Sequence, residues 1–245
     1  MLEALLPLAF FAVALLYSSV GHAGATGYLA LMALVGLAPE VMRPTALVLN
    51  LAVASIAVVR FARAGHLPWH LLPPLLAASI PAVLVTGALS IPDQIYRPLL
   101  ALVLLAAAIR LAAGARADTS NERATHPPRT ATSLVVGGAI GLLAGTTGTG
   151  GGVFLTPLVI ARRWSSTRAA AGLSASFILA NSLAGIAARP AALTLLPDTL
   201  PMALLCAAAG GLLGSELGAR RVRLITLRRM LAAVMAIAAV RLLTG

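Results

Sequence analysis

Two short stretches of this chain combine glycine with threonine or histidine inside an otherwise apolar sequence. They are residues 21–27, GHAGATG, and residues 145–151, GTTGTGG. Glycine permits backbone angles that expose consecutive amide N–H groups, and a helix beginning after such a loop turns its positive dipole end toward it. Amides and hydroxyls placed in this way suit a small anion. The residues that we expect to bind it are His22, Gly24, Thr26, Gly27, Thr146, Thr147, Gly148, Thr149, Gly150 and Gly151.

Three further polar residues belong to the predicted site. Asn50 and Asn181 lie in the apolar runs that come after these stretches, and Ser174 precedes Asn181 in the same run. Polar groups at membrane depth usually face the interior of a helix bundle, so these side chains are candidates to line a substrate path. Interhelical hydrogen bonding explains them equally well, and close helix packing is the alternative explanation for the glycines.

Charged and titratable side chains within the apolar runs are few. His22 is positioned to exchange protons near neutral pH, although a neutral histidine bonded to the backbone is the simpler interpretation. Glu216 lies four residues before Arg220, an order that favours a structural ion pair over ion coupling. Arg97 and Arg110 bracket an apolar run and are expected to extend toward the membrane surface, with bidentate binding of the anion as the alternative.

Other chemistries lack the residues that they require. An enzyme would need paired carboxylates, a metal cluster or a nucleophile with its base, and the four histidines are scattered. The glycine stretches lack the Lys-Ser/Thr of a phosphate loop and follow no predicted strand. We therefore predict no enzymatic activity, no metal site, no cofactor and no nucleic-acid partner, and a channel remains an alternative to a carrier.

The composition is that of a membrane protein. Of 245 residues, 60% are hydrophobic and 10% are charged, and the mean hydropathy is +0.97. The net charge of +11 comes from arginines that lie mostly between or at the ends of apolar runs. We predict an all-α, polytopic helix bundle whose first apolar run is a retained span.

Ten apolar segments would position the two glycine stretches. Eight are long enough to approach a full membrane crossing, and two, at about 27–38 and 152–161, follow the stretches and resemble half-helices. The eight long segments lie at about 2–19, 45–62, 71–89, 95–113, 132–146, 169–187, 200–219 and 227–243.

The chain carries an internal duplication. A shift of 124 residues superimposes the first glycine stretch on the second, with all three of its glycines matched. A shift of 131 matches residues 97–111 to residues 228–242 at eight of fifteen positions, including an arginine near each end. We predict a first repeat at 1–113, a polar cytoplasmic linker at 114–131 and a second repeat at 132–245, each repeat with about five membrane segments.

The arginines indicate that the repeats are inverted. If both short segments change sides, the loops on one side carry 14 arginines and those on the other carry 4, whereas re-entrant segments give 10 and 8. The positive-inside rule favours the first count, and five segments per repeat make the repeats antiparallel. Both termini are then predicted outside the cytoplasm. The protein itself is predicted to lie in the cell (inner) membrane.

The chain resembles the sulfite exporter TauE/SafE family of integral membrane transporters. The resemblance lies in SSVGHAGATGYLALMALVGL and GLLAGTTGTGGGVFLTPLVI, each followed by a small-residue helix with Ser or Thr. It implies transport of small sulfur-containing anions such as sulfite or organosulfonates. We therefore expect a secondary transporter in which one repeat rocks against the other around the anion, with homo-oligomers possible.

Overall fold

Ten α-helices make up the computed structural model, which describes residues 2–19, 22–113, 126–219 and 225–244. Each predicted apolar segment corresponds to one helix. Most of the predicted polar linker and Arg220 lie outside the described residues. The helices are α1 Leu2–Ser18, α2 Ala25–Val35, α3 Pro39–Arg63, α4 Leu72–Ala88, α5 Asp93–Ala113, α6 Thr130–Thr147, α7 Gly152–Ala161, α8 Thr167–Ala188, α9 Leu200–Ala219 and α10 Ile225–Thr244.

Four helices are long and apolar enough to cross a membrane, judged among the described residues: α3, α5, α6 and α8. Among the other helices, α2 and α7 are the shortest, with 11 and 10 residues. Large apolar side chains remain exposed on the outer surface, among them Leu205 and Val135, which are 69% and 72% exposed. Such exposure suits contact with lipid. A 3-10 helix at Pro190–Leu195, between α8 and α9, was not expected from the sequence.

Glycine allows two pairs of helices to pack in parallel at very short range. In the α4–α6 pair, Gly137 faces Leu75, and a Cβ added to Gly141 would lie 2.6 Å from the Ser79 carbonyl oxygen. In the α1–α9 pair, Gly210 faces the Phe11 carbonyl oxygen, and Gly214 lies four residues farther along α9. Spacings of four residues place these glycines on one helix face, which is how small residues let membrane helices approach closely.

Two other pairs are antiparallel. In the α3–α8 pair, Gly172 contacts Phe61 whereas Gly185 contacts Leu47. In the α5–α10 pair, the beginning of α5 adjoins the end of α10, because Asp93 and Leu243 line one surface depression. Helix α8 also packs against α4 and α7, so nearly every side of it is covered. The centre of the bundle is therefore the contact between α3 and α8.

The contacts exchange partners between the halves of the chain. The first helix of each half packs against the fourth helix of the other half, as α1 with α9 and α6 with α4. The third helix of each half also meets the fourth helix of the other, as α3 with α9 and α8 with α4. The third helices meet each other, and so do the fifth.

Candidate functional site

The second glycine stretch is a sharp break between α6 and α7. Gly148, Gly150 and Gly151 have φ angles of +76°, +70° and +83°, which place all three in the left-handed region that side chains with a Cβ seldom adopt. Gly148 ends α6 and Gly151 precedes the first residue of α7. The first amides of a helix have no acceptor within it, so α7 presents donors at this break.

Buried polar side chains surround Gly150. A Cβ added to this glycine would lie 3.1 Å from Asn50 Nδ2, 3.3 Å from Ser182 Oγ and 3.0 Å from Ile178 Cγ2. Asn50 and Ser182 are fully buried, and Asn50 Nδ2, Asn50 Oδ1 and Ser182 Oγ form no hydrogen bond within the protein. A buried polar atom without a partner costs about 1–3 kcal/mol, so a group of three at one loop is a candidate site for a polar ligand.

The two asparagines differ in their partners. Asn181 Oδ1 accepts a hydrogen bond of 2.8 Å from Ser79 Oγ on α4, whereas its Nδ2 has no partner. Asn50 makes no bond to another helix. Interhelical hydrogen bonding therefore explains the Oδ1 atom of Asn181, but it does not explain why Asn50 is buried.

Ser182 was missed in the sequence. It follows Asn181 directly, and neighbouring residues point about 100° apart on a helix. Because α8 is covered on nearly all sides, both are buried. The signal that could have found Ser182 is the small-residue composition of α8, which is typical of a helix packed on every face.

The threonines of the second stretch bond to their own backbone and to each other. Thr146 Oγ1 donates to Leu142 O, and Thr147 Oγ1 donates to Leu143 O over 2.6 Å. Thr147 and Thr149 hydroxyls lie 2.9 Å apart, so Thr149 must supply the proton between them. The donors left at this break are therefore the backbone amides, Asn50 and Ser182.

Ser174 lies near the same break but ties two helices together. Its Oγ is 2.5 Å from Thr156 Oγ1 of α7 and donates to Gly152 O over 3.2 Å. The structure thus gives Ser174 a role in holding the first turn of α7 against α8.

The first glycine stretch is filled by aromatic side chains. Gly24, with a φ of +101°, precedes α2, and Tyr28 Oη donates to Ala23 O at this turn. Thr26 Oγ1 bonds to Tyr17 Oη at 2.6 Å. Gly27 lies inside α2, where an added Cβ would be 2.6 Å from Val13 Cγ1, so its small size serves helix packing. The two breaks are consequently unequal.

Arg110 connects the two breaks. Its Nη1 donates to Val153 O at the beginning of α7, over 2.8 Å, and to His22 Nε2 over 3.3 Å. An arginine can only donate, so this contact requires an unprotonated Nε2 on His22. The expectation that Arg110 extends to the membrane surface is wrong, because acceptors at both breaks draw it inward. One cation therefore lies within reach of both glycine stretches.

Comparison with known proteins decides the family. The model of the family described as "Sulfite exporter TauE/SafE" matches residues 6–242. The chain belongs to the sulfite exporter TauE/SafE family. It is 37% identical, over 97% of its own length and 97% of the relative's, to the "Probable membrane transporter protein y4hK" of Sinorhizobium fredii. No solved structure matches the chain.

Membership in the TauE/SafE family makes the chain a multi-pass membrane transporter. Within the described residues, no three His, Cys, Asp or Glu side chains group as metal ligands. Glu216 pairs with Arg60 at 3.2 Å, and both side chains are substantially exposed, which makes this an ion pair of little energetic weight. In this TauE/SafE member, three of the buried polar atoms that lack a partner among the described residues lie at the second break, on Asn50 and Ser182.

Proposed function

We propose that the chain is a secondary carrier that moves small sulfur-containing anions, such as sulfite or organosulfonates, across the cell membrane by alternating access. The observation that carries this proposal is the group of unpaired polar atoms on Asn50 and Ser182 beside Gly150. Amide N–H groups and a hydroxyl are neutral donors, which bind an oxyanion while leaving it able to depart. Arg110, between the breaks, supplies a positive charge nearby.

The moving parts in this proposal are two inverted repeats, residues 1–113 and 132–245, joined by the cytoplasmic linker at 114–131. The exchange of helix partners between the halves supports this, because a twofold relation would pair α1 with α9 wherever it pairs α6 with α4. The second break adjoins α3, so the site is built from both repeats. Rocking of one repeat against the other would then open it to each side in turn.

The helix directions support a crossing by each short helix. Helix α4 is parallel to α6 and, as the span following α3, runs opposite to α3. Because α8 is antiparallel to α3, it is parallel to α6, which supports a return crossing by α7 between them. The same reasoning with α1 and α9 supports a crossing by α2. Five crossings per half agree with the arginine count of 14 to 4.

Labelling of introduced cysteines tests the orientation. In a Cys206→Ser background, Ser120→Cys in the linker should react with a membrane-impermeant maleimide only after the cytoplasmic face is exposed. Asp198→Cys, between α8 and α9, is the matched position on the other side and should react in intact cells. Reaction of both from the same side would exclude the inverted arrangement.

A flux measurement tests the function itself. The purified chain in proteoliposomes should give saturable flux of at least one of sulfite, thiosulfate, sulfoacetate or a taurine-derived sulfonate. Unlabelled substrate on the far side should accelerate the entry of labelled substrate, because a carrier returns faster when loaded. A channel would show no such acceleration, and an enzyme would release a chemically altered product.

Empty liposomes and an equal concentration of acetate are the controls for this measurement. Flux of all four sulfur anions at the level of empty liposomes would contradict the substrate proposal. Flux that rises linearly with concentration and ignores the far side would replace the carrier with a channel.

A further inference from the structure

A cavity that contains charged side chains lies near the group of atoms around Gly150 but does not include it. It has a volume of about 80 Å³ and is enclosed by the beginning of α3, the ends of α4 and α8, and the 3-10 helix. Two arginines, Arg43 and Arg189, line it together with Tyr96 and Ser90, and Glu40 is its one acidic residue among the described lining residues. The cavity therefore carries an excess of positive charge.

Arg43 is held in place by neutral partners. Its Nη2 donates to Gly145 O over 2.8 Å, and its guanidinium carbon lies 5.9 Å from the centre of the Tyr96 ring. Neither partner cancels the charge. Arg189 ends α8, and no carboxylate lies within 4.0 Å of it among the residues with described side chains.

The other arginines on this side are occupied elsewhere. In the proposed topology the arginine-poor side carries Arg43, Arg97, Arg189 and Arg241. Arg97 pairs with Asp93 at 3.5 Å, and Arg241 donates to Leu34 O at the end of α2. Positive charge is disfavoured on this side, yet two of the four arginines converge on one cavity.

The cavity adjoins the second glycine break. An added Cβ on Gly148 would lie 3.3 Å from Arg43 Cα, and Tyr96 Oη donates to Thr147 O over 3.3 Å. Two apolar residues line the cavity close to these atoms. Leu47 precedes Asn50 by three residues on α3, and Gly185 follows Ser182 by three residues on α8. One helical turn, about 5 Å, therefore separates the cavity from the unpaired polar atoms.

We propose that this cavity is an outer anion-binding subsite, in which Arg43 and Arg189 attract a small oxyanion and present it to the break at Gly150. Its position on the outer face and its sulfur-anion substrate rest on the proposed function. A cleft lined by one sign of charge concentrates oppositely charged solutes and raises their association rates. Arg189 is the residue to vary, because Arg43 also holds the end of α6 through Gly145.

The test measures the local potential with a thiol placed in the cavity. In a Cys206→Ser background, Ser90→Cys is treated with anionic sulfonatoethyl and cationic trimethylammonioethyl methanethiosulfonate reagents. Arg189→Gln should slow the anionic reagent and accelerate the cationic one, each by about threefold for a unit charge lost at roughly 7 Å in water. The ratio of the two rates should thus fall by about tenfold, and by less in high salt.

Arg97→Gln is the matched control, because it removes one arginine from the same proposed side but from a pair with Asp93 outside the cavity. It should lower the ratio by clearly less than Arg189→Gln does. Sulfoacetate should also protect the introduced thiol from N-ethylmaleimide, whereas acetate at equal ionic strength should not, and Arg189→Gln should weaken the protection.

Equal rate ratios in Arg189→Gln and its parent, or protection by acetate equal to that by sulfoacetate, would overturn the subsite. This readout does not require transport. A chain that shows the predicted ratios and protection but moves none of the four sulfur anions would retain the subsite and lose the proposed function. If the chain transports these anions but the ratio of reagent rates is the same in Arg189→Gln and its parent, the proposed function stands and the subsite does not.

Discussion

Gly150→Ala is expected to reduce sulfur-anion flux at least tenfold, whereas Gly65→Ala leaves it near the level of the unaltered protein. Both glycines have a φ of +70°, so alanine introduces the same backbone strain at each position, about 1–2 kcal/mol. The surroundings differ. The new methyl group would meet Ile178, Asn50 and Ser182 at position 150, but nothing within 4 Å at position 65.

The expected loss follows from the place that the methyl group would occupy. It would stand within 3.1 Å of Asn50 Nδ2 and 3.3 Å of Ser182 Oγ, where these donors would otherwise meet the anion. Loss of one good contact, about 1.4 kcal/mol, corresponds to tenfold in affinity. The measurement is the concentration dependence of flux in proteoliposomes, together with thermal unfolding of both variants in detergent.

Equal unfolding temperatures for the two variants would show that the backbone cost is shared. If Gly150→Ala then transported with the same half-saturation as Gly65→Ala, the anion would not approach this glycine. If both variants lost transport equally, backbone strain would be the cause and the polar group around Gly150 would lose its assigned role.

The helices and their order were predictable because lipid imposes a strong pattern on the sequence. An apolar run between arginines or prolines has one stable form in a bilayer, and glycine marked the break between α6 and α7 where φ is positive. Segments 152–161 and 200–219 coincide with α7 and α9. Local sequence determines these features, so no knowledge of the neighbouring helices was needed.

The site was less predictable, because hydrogen bonds within the fold decide which polar groups remain available. Thr146 and Thr147 carry hydroxyl groups of the kind that bind anions, yet these hydroxyls donate to the preceding turn of α6. Gly27 repeats Gly151 in the aligned stretches but packs against Val13. Arg110, expected at the membrane surface, instead finds acceptors at Val153 and His22, which lie far from it in sequence.

Asn50→Leu is expected to abolish sulfur-anion flux and to stabilise the protein at the same time. Leucine has the same branched heavy-atom skeleton as asparagine, although its two methyl groups are bulkier than the amide, and it removes two buried atoms, Nδ2 and Oδ1, that lack partners. Each such atom costs about 1–3 kcal/mol, so the free energy of unfolding should increase. A site that binds an anion through unpaired groups is less stable than an apolar core when empty, which is the usual conflict between stability and activity.

Asn181→Leu is the matched control on the facing helix. This change removes the unpaired Nδ2 but leaves Ser79 Oγ without the acceptor that it has at 2.8 Å, so gain and loss nearly cancel. Thermal unfolding in detergent should therefore rank Asn50→Leu above the unaltered protein, and Asn181→Leu level with it or below. For a chain of this length, about 1 kcal/mol corresponds to roughly 2–4 °C at the midpoint.

The combination of the two measurements separates binding from architecture. A structural asparagine would lower the unfolding temperature when replaced, and any loss of transport would follow from that. If the asparagine binds the anion, its replacement abolishes transport while the unfolding temperature rises, a combination that misfolding cannot produce. If the Asn50→Leu variant showed normal flux, Asn50 would not belong to the site. The backbone of the second break would then have to bind the anion without the side-chain amide of Asn50.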